Sequence, residues 1–139
     1  MKKDEIKIIL PLHVHTTKSE TVKGKFILNL NIYRNANWRK LGIAKKNYKK
    51  LIANKIPKEN TIEPPYELIY TYYHGNKSKV DISNPLSIID KFTCDVLTEA
   101  GFWKDDDKDY VKRVTFQWGG VDKNRPRAEL IVKKFNQNK

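Results

Sequence analysis

The stretch 66–101, YELIYTYYHGNKSKVDISNPLSIIDKFTCDVLTEAG, contains the two clearest secondary-structure signals in the chain. In 66–74, β-forming residues alternate in the manner of a strand with one buried face. In 84–100, apolar residues recur at helical spacing, with Asn84 as a suitable N-cap, Pro85 at the first helical position and Gly101 just after the end. A strand followed by an amphipathic helix predicts a helix that packs on a sheet.

Weaker patterns extend this prediction in both directions. The sequence predicts a strand over 5–14, interrupted by Pro11 and therefore near a sheet edge, and a second strand-like run over 26–32. A helix is expected over 38–56 with Asn37 as its cap. Two β-like runs, 110–118 and 128–135, are expected to form a hairpin. The result is one domain over residues 1–139, of the mixed α/β (α+β) class, with two main helices packed on one mixed sheet.

The composition limits the class of protein. The chain has 139 residues, of which 39% are hydrophobic, enough for one core and too many for a disordered basic tail. No apolar run approaches the roughly 18–20 residues that span a bilayer, so no membrane span is expected. We find no secretory signal pattern, and Cys94 is the only cysteine. These features favour a reducing, cytoplasmic setting.

Charge is distributed unevenly along the chain. The net charge is +12, but segment 81–109 has eight carboxylates against three lysines, which gives it −5 and leaves +17 for the rest. A strongly basic surface attracts nucleic acid, since each phosphate contact by Lys or Arg releases condensed counterions. Carboxylates would repel the same phosphates unless a divalent cation lay between them. The pattern therefore predicts a DNA-binding protein with a metal site in its acidic segment.

The candidate metal ligands lie either near one end of the 84–100 helix or on its polar side: Asp81, Asp90, Asp95, Asp105 and Asp106. An antiparallel strand starting near residue 110 would bring the last two back beside the helix. A carboxylate set without His or Cys favours Mg²⁺, with Mn²⁺ as a substitute. Such an ion polarises a scissile phosphodiester, and Lys91 is the candidate to neutralise the developing charge. The competing interpretation of these carboxylates is a solvated turn and exposed helix side chains.

Segment 81–114 resembles the signature of RusA-type Holliday junction resolvases, a family of crossover junction endodeoxyribonucleases. The resemblance is carried by Asp81-Ile-Ser-Asn84, by Asp90-Lys91 and most closely by Asp95-Val-Leu-Thr-Glu-Ala-Gly-Phe-Trp103-Lys-Asp105-Asp106. It implies a RusA-like fold and a homodimeric, Mg²⁺-dependent endonuclease without a small-molecule cofactor. Such enzymes resolve four-way DNA junctions by paired symmetric nicks in recombination and repair, and phages or prophages of bacterial hosts commonly encode them.

The resemblance also implies roles for individual residues. Asp81 matches the first catalytic aspartate, Asp106 the second residue of the Asp-Asp pair, and Lys91 the helix lysine. Ser83 stands where the family has a further aspartate, and 84–95 is four residues longer than the family pattern. We expect Asp90 to replace the missing carboxylate, with Ser87 as a rival occupant of that position.

The catalytic residues expected are Asp81, Asp90, Asp106 and Lys91, and the metal ligands are Asp81, Asp90, Asp105 and Asp106. Asn84 and Asp95 are expected to support them, Asp95 by pairing with Lys91 at i, i+4 spacing. This interpretation depends on Asp81, Asp90 and Asp106 lying close enough to share one ion.

The residues expected to contact DNA come from the 29–50 region: Asn31, Tyr33, Arg34, Arg39, Lys45, Lys46 and Lys49. Asn31, Tyr33 and Arg34 belong to a polar loop that is similar to an N-terminal loop of the resolvase family. A solvated helix face explains the lysines of 38–56 equally well. Exposed Trp38, Trp103 or Tyr33 would be able to stack on unpaired bases, although core packing is the commoner role of such residues.

Two other functions stay open. One is a basic DNA-binding or recombination accessory protein that does not cleave, which the serine at position 83 favours. The other is a zinc site at His13 and His15, which the sequence supports weakly because it shows no third ligand nearby.

Overall fold

A computed structural model describes residues 4–17, 24–105 and 107–136. Within these ranges the chain forms six strands: β1 Glu5–Leu10, β2 His13–His15, β3 Lys25–Ile27, β4 Tyr66–His74, β5 Val111–Val121 and β6 Arg127–Lys134. The same ranges contain three α-helices: α1 Leu30–Asn35, α2 Trp38–Ile52 and α3 Ser83–Glu99. A short 3₁₀ turn, Ala53–Lys55, extends α2. None of the helices in the described residues is long and apolar enough to cross a membrane.

The strands build one mixed four-stranded sheet in the order β1-β6-β4-β5, and β2 pairs with β3 in a small second sheet. Strand β4 runs parallel to β5 and antiparallel to β6, and β1 runs antiparallel to β6. The mixed α+β class is therefore confirmed. Strand β1 lies at the sheet edge and ends just before Pro11, as the proline predicts.

The hairpin expected from β5 and β6 is wrong, because β4 lies between these two strands. Helix α3 carries the chain from the end of β4 back along the sheet, so that β5 starts beside the start of β4 and runs parallel to it. Strand β6 then returns on the other side of β4, pairing Tyr73 with Arg127 and Tyr66 with Lys134.

The core lies between the sheet and α2 and α3. Alternate residues of β4 are buried, from Tyr66 to Tyr72, and they face the apolar side of α3. Tyr48 of α2 and Thr93 of α3 are fully buried, and their hydroxyls form a hydrogen bond of 2.6 Å. This bond satisfies two polar groups that would otherwise be costly to bury.

Local capping explains where the first two helices begin. Asn29 Oδ1 accepts a hydrogen bond of 2.9 Å from Ile32 N, so the run expected as a strand over 26–32 ends at Ile27 and continues as α1. The expected loop at Asn31, Tyr33 and Arg34 is therefore a helix. Asn37 caps α2 as predicted, accepting from Lys40 N at 2.8 Å.

Helix α3 starts one residue before the expected position, at Ser83, and Asn84 does not cap it. Pro85 lies in the first turn, where a missing N–H removes no helical hydrogen bond. After the helix, Gly101 has φ of 77°, the left-handed conformation that glycine adopts readily at helix ends.

Candidate functional site

A cleft of about 350 Å³ opens where the chain passes from β4 into α3. Its polar lining comes from the end of β4, the connection to α3, the first turn of α3 and the cap of α1: Tyr72, His74, Lys79, Asp81, Asn84 and Asn29. Of the predicted site residues, the cleft contains Asp81 and Asn84. Sequence reasoning missed Tyr72, His74, Lys79 and a direct role for Asn29.

Asp81 is exposed and held in place by the start of α3. Its Oδ1 accepts hydrogen bonds from Ser83 Oγ at 2.8 Å and from Ser83 N at 3.2 Å. A carboxylate at this position interacts favourably with the positive N-terminal end of the helix dipole. Ser83 therefore orients the Asp81 carboxylate.

Asn84 connects α3 to α1. Its Oδ1 accepts a hydrogen bond of 2.9 Å from Leu30 N, 54 positions earlier in the chain. Because Leu30 begins α1, this bond sets the position of α1 beside the Asp81 cleft. Asn84 thus supports the arrangement of the cleft, rather than capping its own helix.

The aromatic side of the cleft contains a hydrogen-bonded chain. Tyr72 Oη lies 3.2 Å from His74 Nδ1, and His74 Nε2 lies 3.0 Å from Ser78 Oγ. Tyr72 and His74 are two positions apart on β4, so they share a face of the strand. Strand alternation in the sequence is enough to group Tyr72 with His74. Only the position of α3 shows that their shared face borders Asp81.

Asp90 points towards the sheet, away from Asp81. Its Oδ1 accepts hydrogen bonds from Tyr70 Oη at 2.6 Å and from Cys94 Sγ at 3.2 Å. Ser83 and Asp90 are separated by about 10 Å of helical rise, and Cys94 lies one turn further still from the cleft. Ligands of one Mg²⁺ lie about 2 Å from it. Asp81 and Asp90 therefore do not meet the condition of sharing an ion within one chain.

Asp105 follows the opposite end of α3. The rings of Phe102 and Trp103 lie 5.7 and 5.6 Å from the ring of Tyr66, the first residue of β4. The Asp81 cleft includes Tyr72, six residues further along β4, which corresponds to about 20 Å. Strand β5 does return beside α3, but it starts next to the start of β4, so Asp105 stays at the end of the sheet opposite the Asp81 cleft.

The expected convergence of carboxylates is thus not found within the described part of one chain. No group of three His, Cys, Asp or Glu side chains among the described residues is arranged to hold a metal ion. Asp106 lies outside the described residues. The assignment of Asp105 and Asp106 to metal binding stays a prediction, and so does the catalytic role of Asp81.

Lys91 and Asp95 do not form the ion pair expected from their spacing. Lys91 is exposed, and its Nζ lies 5.9 Å from the centre of the Tyr33 ring. Asp95 instead lines a groove of about 280 Å³ between α2 and α3, together with Lys45, Lys46 and Lys49. Attraction from these lysines provides a physical reason for the difference.

The other expected DNA-contacting residues lie along α1 and α2. Asn31, Arg34, Arg39, Lys46 and Lys49 are exposed, and Lys45 is partly buried. Lys49 is paired with Glu99 at 2.7 Å. The two helices therefore present a basic surface that borders the groove containing Asp95.

The aromatic residues proposed for base stacking differ in exposure. Trp38 is 77% exposed, and the Arg39 guanidinium lies 5.2 Å from its ring. Tyr33 packs edge-on against Phe92. Trp103 is buried and donates a hydrogen bond of 2.7 Å from Nε1 to Thr98 Oγ1, which excludes it from base stacking.

The weak zinc alternative gains no further ligand. The rings of His13 and His15 lie 5.2 Å apart on β2, and no third metal-binding side chain joins them in the described ranges. A plain pair of strand histidines accounts for the motif.

No protein-family model matches this chain, and no curated protein matches it. Functional assignment therefore depends on the residues of the chain itself.

Proposed function

We propose that the chain is a Mg²⁺-dependent, structure-specific endonuclease of the RusA type, which resolves four-way DNA junctions as a homodimer. The observation that carries this proposal is the exposed Asp81 carboxylate, oriented by Ser83 in a cleft that also contains Lys79 and His74. The surrounding protein is strongly basic. An anchored carboxylate close to a lysine, in a chain of net charge +12, suits an ion that contacts both protein and phosphate.

The chemistry of the cleft fits a hard cation. Mg²⁺ commonly uses one or two protein carboxylates and takes its remaining ligands from water and phosphate oxygens. When bound, the ion polarises the phosphodiester that is to be cleaved. Asp81 would hold it, and Lys79 would attract the DNA phosphate into the cleft. Lys91 stays a second candidate for attracting the phosphate, because its exposed side chain extends from α3, the helix that follows Asp81.

Asp81 and Asp105 lie at opposite ends of the sheet, so a larger carboxylate set requires two subunits. In the proposed homodimer, Asp81 would lie near Asp105 of the partner subunit. A two-fold axis makes two such sites. Two equivalent sites match the paired symmetric nicks by which a four-way junction is resolved.

The basic surface of α1 and α2 would hold the arms of the junction. Lysine and arginine contacts to phosphate position DNA without reading its sequence. The expected contacts are therefore Asn31, Tyr33, Arg34, Arg39, Lys45, Lys46 and Lys49, with Trp38 free in the described chain to stack on an unpaired base.

A second function is a basic DNA-binding or accessory protein that does not cleave. It is favoured by the absence, within the described residues, of three converging metal-binding side chains. The two functions differ in one measurable property, which is Mg²⁺-dependent hydrolysis.

The deciding experiment incubates the purified protein with four-way, Y-shaped and linear duplex DNA, in Mg²⁺, Mn²⁺ or EDTA. We expect symmetric nicks in the four-way substrate alone, present with either metal and absent in EDTA. Asp81→Asn should bind the junction and fail to nick it, while Asp4→Asn, which changes an exposed carboxylate at the start of β1, should do both. Junction binding without nicking in any divalent metal would instead establish the non-cleaving function.

A further inference from the structure

Strand β5 leaves a long edge of the main sheet open. It has 11 residues, pairs with β4 along one side only with a register shift near each end, and no other described strand pairs with its second side. Such an edge presents a row of backbone donors and acceptors to any strand that approaches. The opposite edge, β1, has six residues and ends before a proline, which makes it a much poorer template.

The β5 edge also carries an apolar stripe that the helices leave uncovered. Val114, Phe116 and Trp118 alternate on the side of the sheet that faces α3. Val114 is 42% exposed and Trp118 is 50% exposed. Phe116 is half-buried, with its ring centre 5.8 Å from that of Tyr70. From Val114 to Val121 the strand has no charged residue, whereas natural edges usually carry charges that prevent pairing.

We propose that β5 pairs antiparallel with β5 of a second copy of this chain, around a two-fold axis at Phe116. In that register Val114 of one copy lies opposite Trp118 of the other, and the two Phe116 side chains meet at the axis. Aromatic and β-branched cross-strand pairs of this kind stabilise sheets. The two four-stranded sheets would join into one continuous sheet of eight strands.

The sequence of β5 is self-complementary in this register. Val114 and Thr115 lie opposite Trp118 and Gln117, and Arg113 faces the bulge at Gly119, so no two like charges face each other across the axis. A register shifted by one residue would place the apolar stripe against the opposite, polar face. Each chain carries a charge of +12, so two copies repel over most of their surfaces. The uncharged 114–121 segment is suited to their approach.

Antiparallel pairing has a consequence for the proposed function. The start of one β5 lies beside the end of the other, so Asp105 and residues 107–109 of each copy approach the end of the partner sheet that carries the Asp81 cleft. This consequence rests on the proposed nuclease function. The interface does not, because its evidence is the edge, the stripe and the register.

The oligomeric state tests the interface without DNA, metal or nicking. We expect the wild-type protein to sediment as a dimer at micromolar concentration, and Val114→Lys and Trp118→Arg to sediment as monomers. Trp38→Arg is the matched control, because it places the same charge at another exposed tryptophan, and it should stay dimeric. Circular dichroism and thermal unfolding verify that each variant is folded.

A cysteine pair tests the register and does not depend on disruptive variants. Residues directly opposite in an antiparallel pair have Cα atoms about 4.5–5.5 Å apart, within the range of a disulfide, whereas diagonal neighbours lie about 7–8 Å apart. A mixture of Thr115→Cys and Gln117→Cys chains should therefore cross-link faster than either chain alone. A monomeric wild-type protein would overturn the proposal. A dimer that resists both charge substitutions, or that lacks the preferential 115–117 cross-link, would overturn it as well.

Discussion

Tyr70 donates a hydrogen bond of 2.6 Å to Asp90 and thereby connects the centre of the sheet to the middle of α3. Tyr70 is fully buried, and burial raises its pKa well above the ordinary 10.0. The hydroxyl therefore keeps its proton at physiological pH and remains a donor. Cys94, one helical turn beyond Asp90, donates to the same oxygen. Asp90 thus acts within the fold as the acceptor for two buried donors.

The first prediction concerns the stability of this contact. Asp90→Ala removes the carboxylate acceptor of the Tyr70 hydroxyl and leaves it only the weak acceptor Cys94 Sγ at 4.0 Å, so we expect a loss of about 1–3 kcal/mol in the free energy of unfolding. Urea denaturation measures it. Asp95→Ala is the control, since Asp95 is an exposed carboxylate on the same helix, and its effect should be within about 0.5 kcal/mol. Unchanged stability together with lost nicking in Asp90→Ala would instead support the metal-ligand assignment made from sequence.

Sequence periodicity predicted the elements whose own residues show a clear alternating or helical pattern. Strand β4 has the bounds expected from alternation, and α3 lies within one residue of its expected ends. The same reasoning placed Asp90 on the polar, solvent-facing side of α3, whereas Asp90 is half-buried and its carboxylate points towards the sheet. Tyr70 decides that, and it is 20 positions away in the chain.

Features set by tertiary contacts could not be predicted in this way. A hairpin is the simplest expectation for two strands joined by a short turn, yet β4 separates β5 from β6. Asp81 and Asp105 lie at opposite ends of the sheet because they flank the two ends of α3 and β5 runs parallel to β4. Likewise, Asn84 has the residue type of a helix cap, but its acceptor is used by Leu30 N of a different helix.

A second prediction concerns Tyr48 and Thr93, whose hydroxyls bond to each other in the core. Tyr48→Phe should destabilise the protein by about 1–3 kcal/mol because it leaves the buried Thr93 hydroxyl unpaired. In Tyr48→Phe/Thr93→Val both partners are apolar, and the double variant should be more stable than the sum of the single effects predicts. Urea denaturation of the four proteins completes the cycle. Additive effects would show that there is no coupling energy between the Tyr48 and Thr93 side chains.

The third prediction is a loss of stability at alkaline pH. Burial raises the pKa of Tyr70 and of Tyr48 above 10.0 in the folded protein. Above pH 10 the unfolded chain releases these protons while the folded chain retains them, so the free energy of unfolding falls as pH rises. The stability that the raised pKa values of Tyr70 and Tyr48 contribute is fully present below pH 10. Urea denaturation at pH 9 and pH 11 measures the fall, and Tyr48→Phe should reduce it. An equal fall in that variant would exclude Tyr48 as a source.

A fourth prediction concerns the basic surface of α2. If Lys46 contacts a phosphate, Lys46→Ala should weaken junction binding and reduce the slope of log K against log salt concentration by about 0.9. Fluorescence anisotropy at several salt concentrations measures both quantities. Lys133→Ala is the control, because Lys133 lies on β6, 3.9 Å from Glu67, on the sheet face opposite the helices. Equal slopes for the two variants would place the DNA elsewhere.

The last prediction tests cation binding at Asp81 apart from catalysis. A ligand that binds only the folded protein stabilises it, by about 1.4 kcal/mol at ten times its dissociation constant, which for a domain of this size raises the melting temperature by a few degrees. We expect Mg²⁺ to raise the melting temperature of the wild-type protein and not that of Asp81→Asn, because the variant loses the anionic ligand while Ser83 still has an oxygen acceptor at position 81. NaCl at matched ionic strength controls for screening, and Asp4→Asn controls for loss of a carboxylate. A shift of equal size in wild type and Asp81→Asn would show that Mg²⁺ binds at another site.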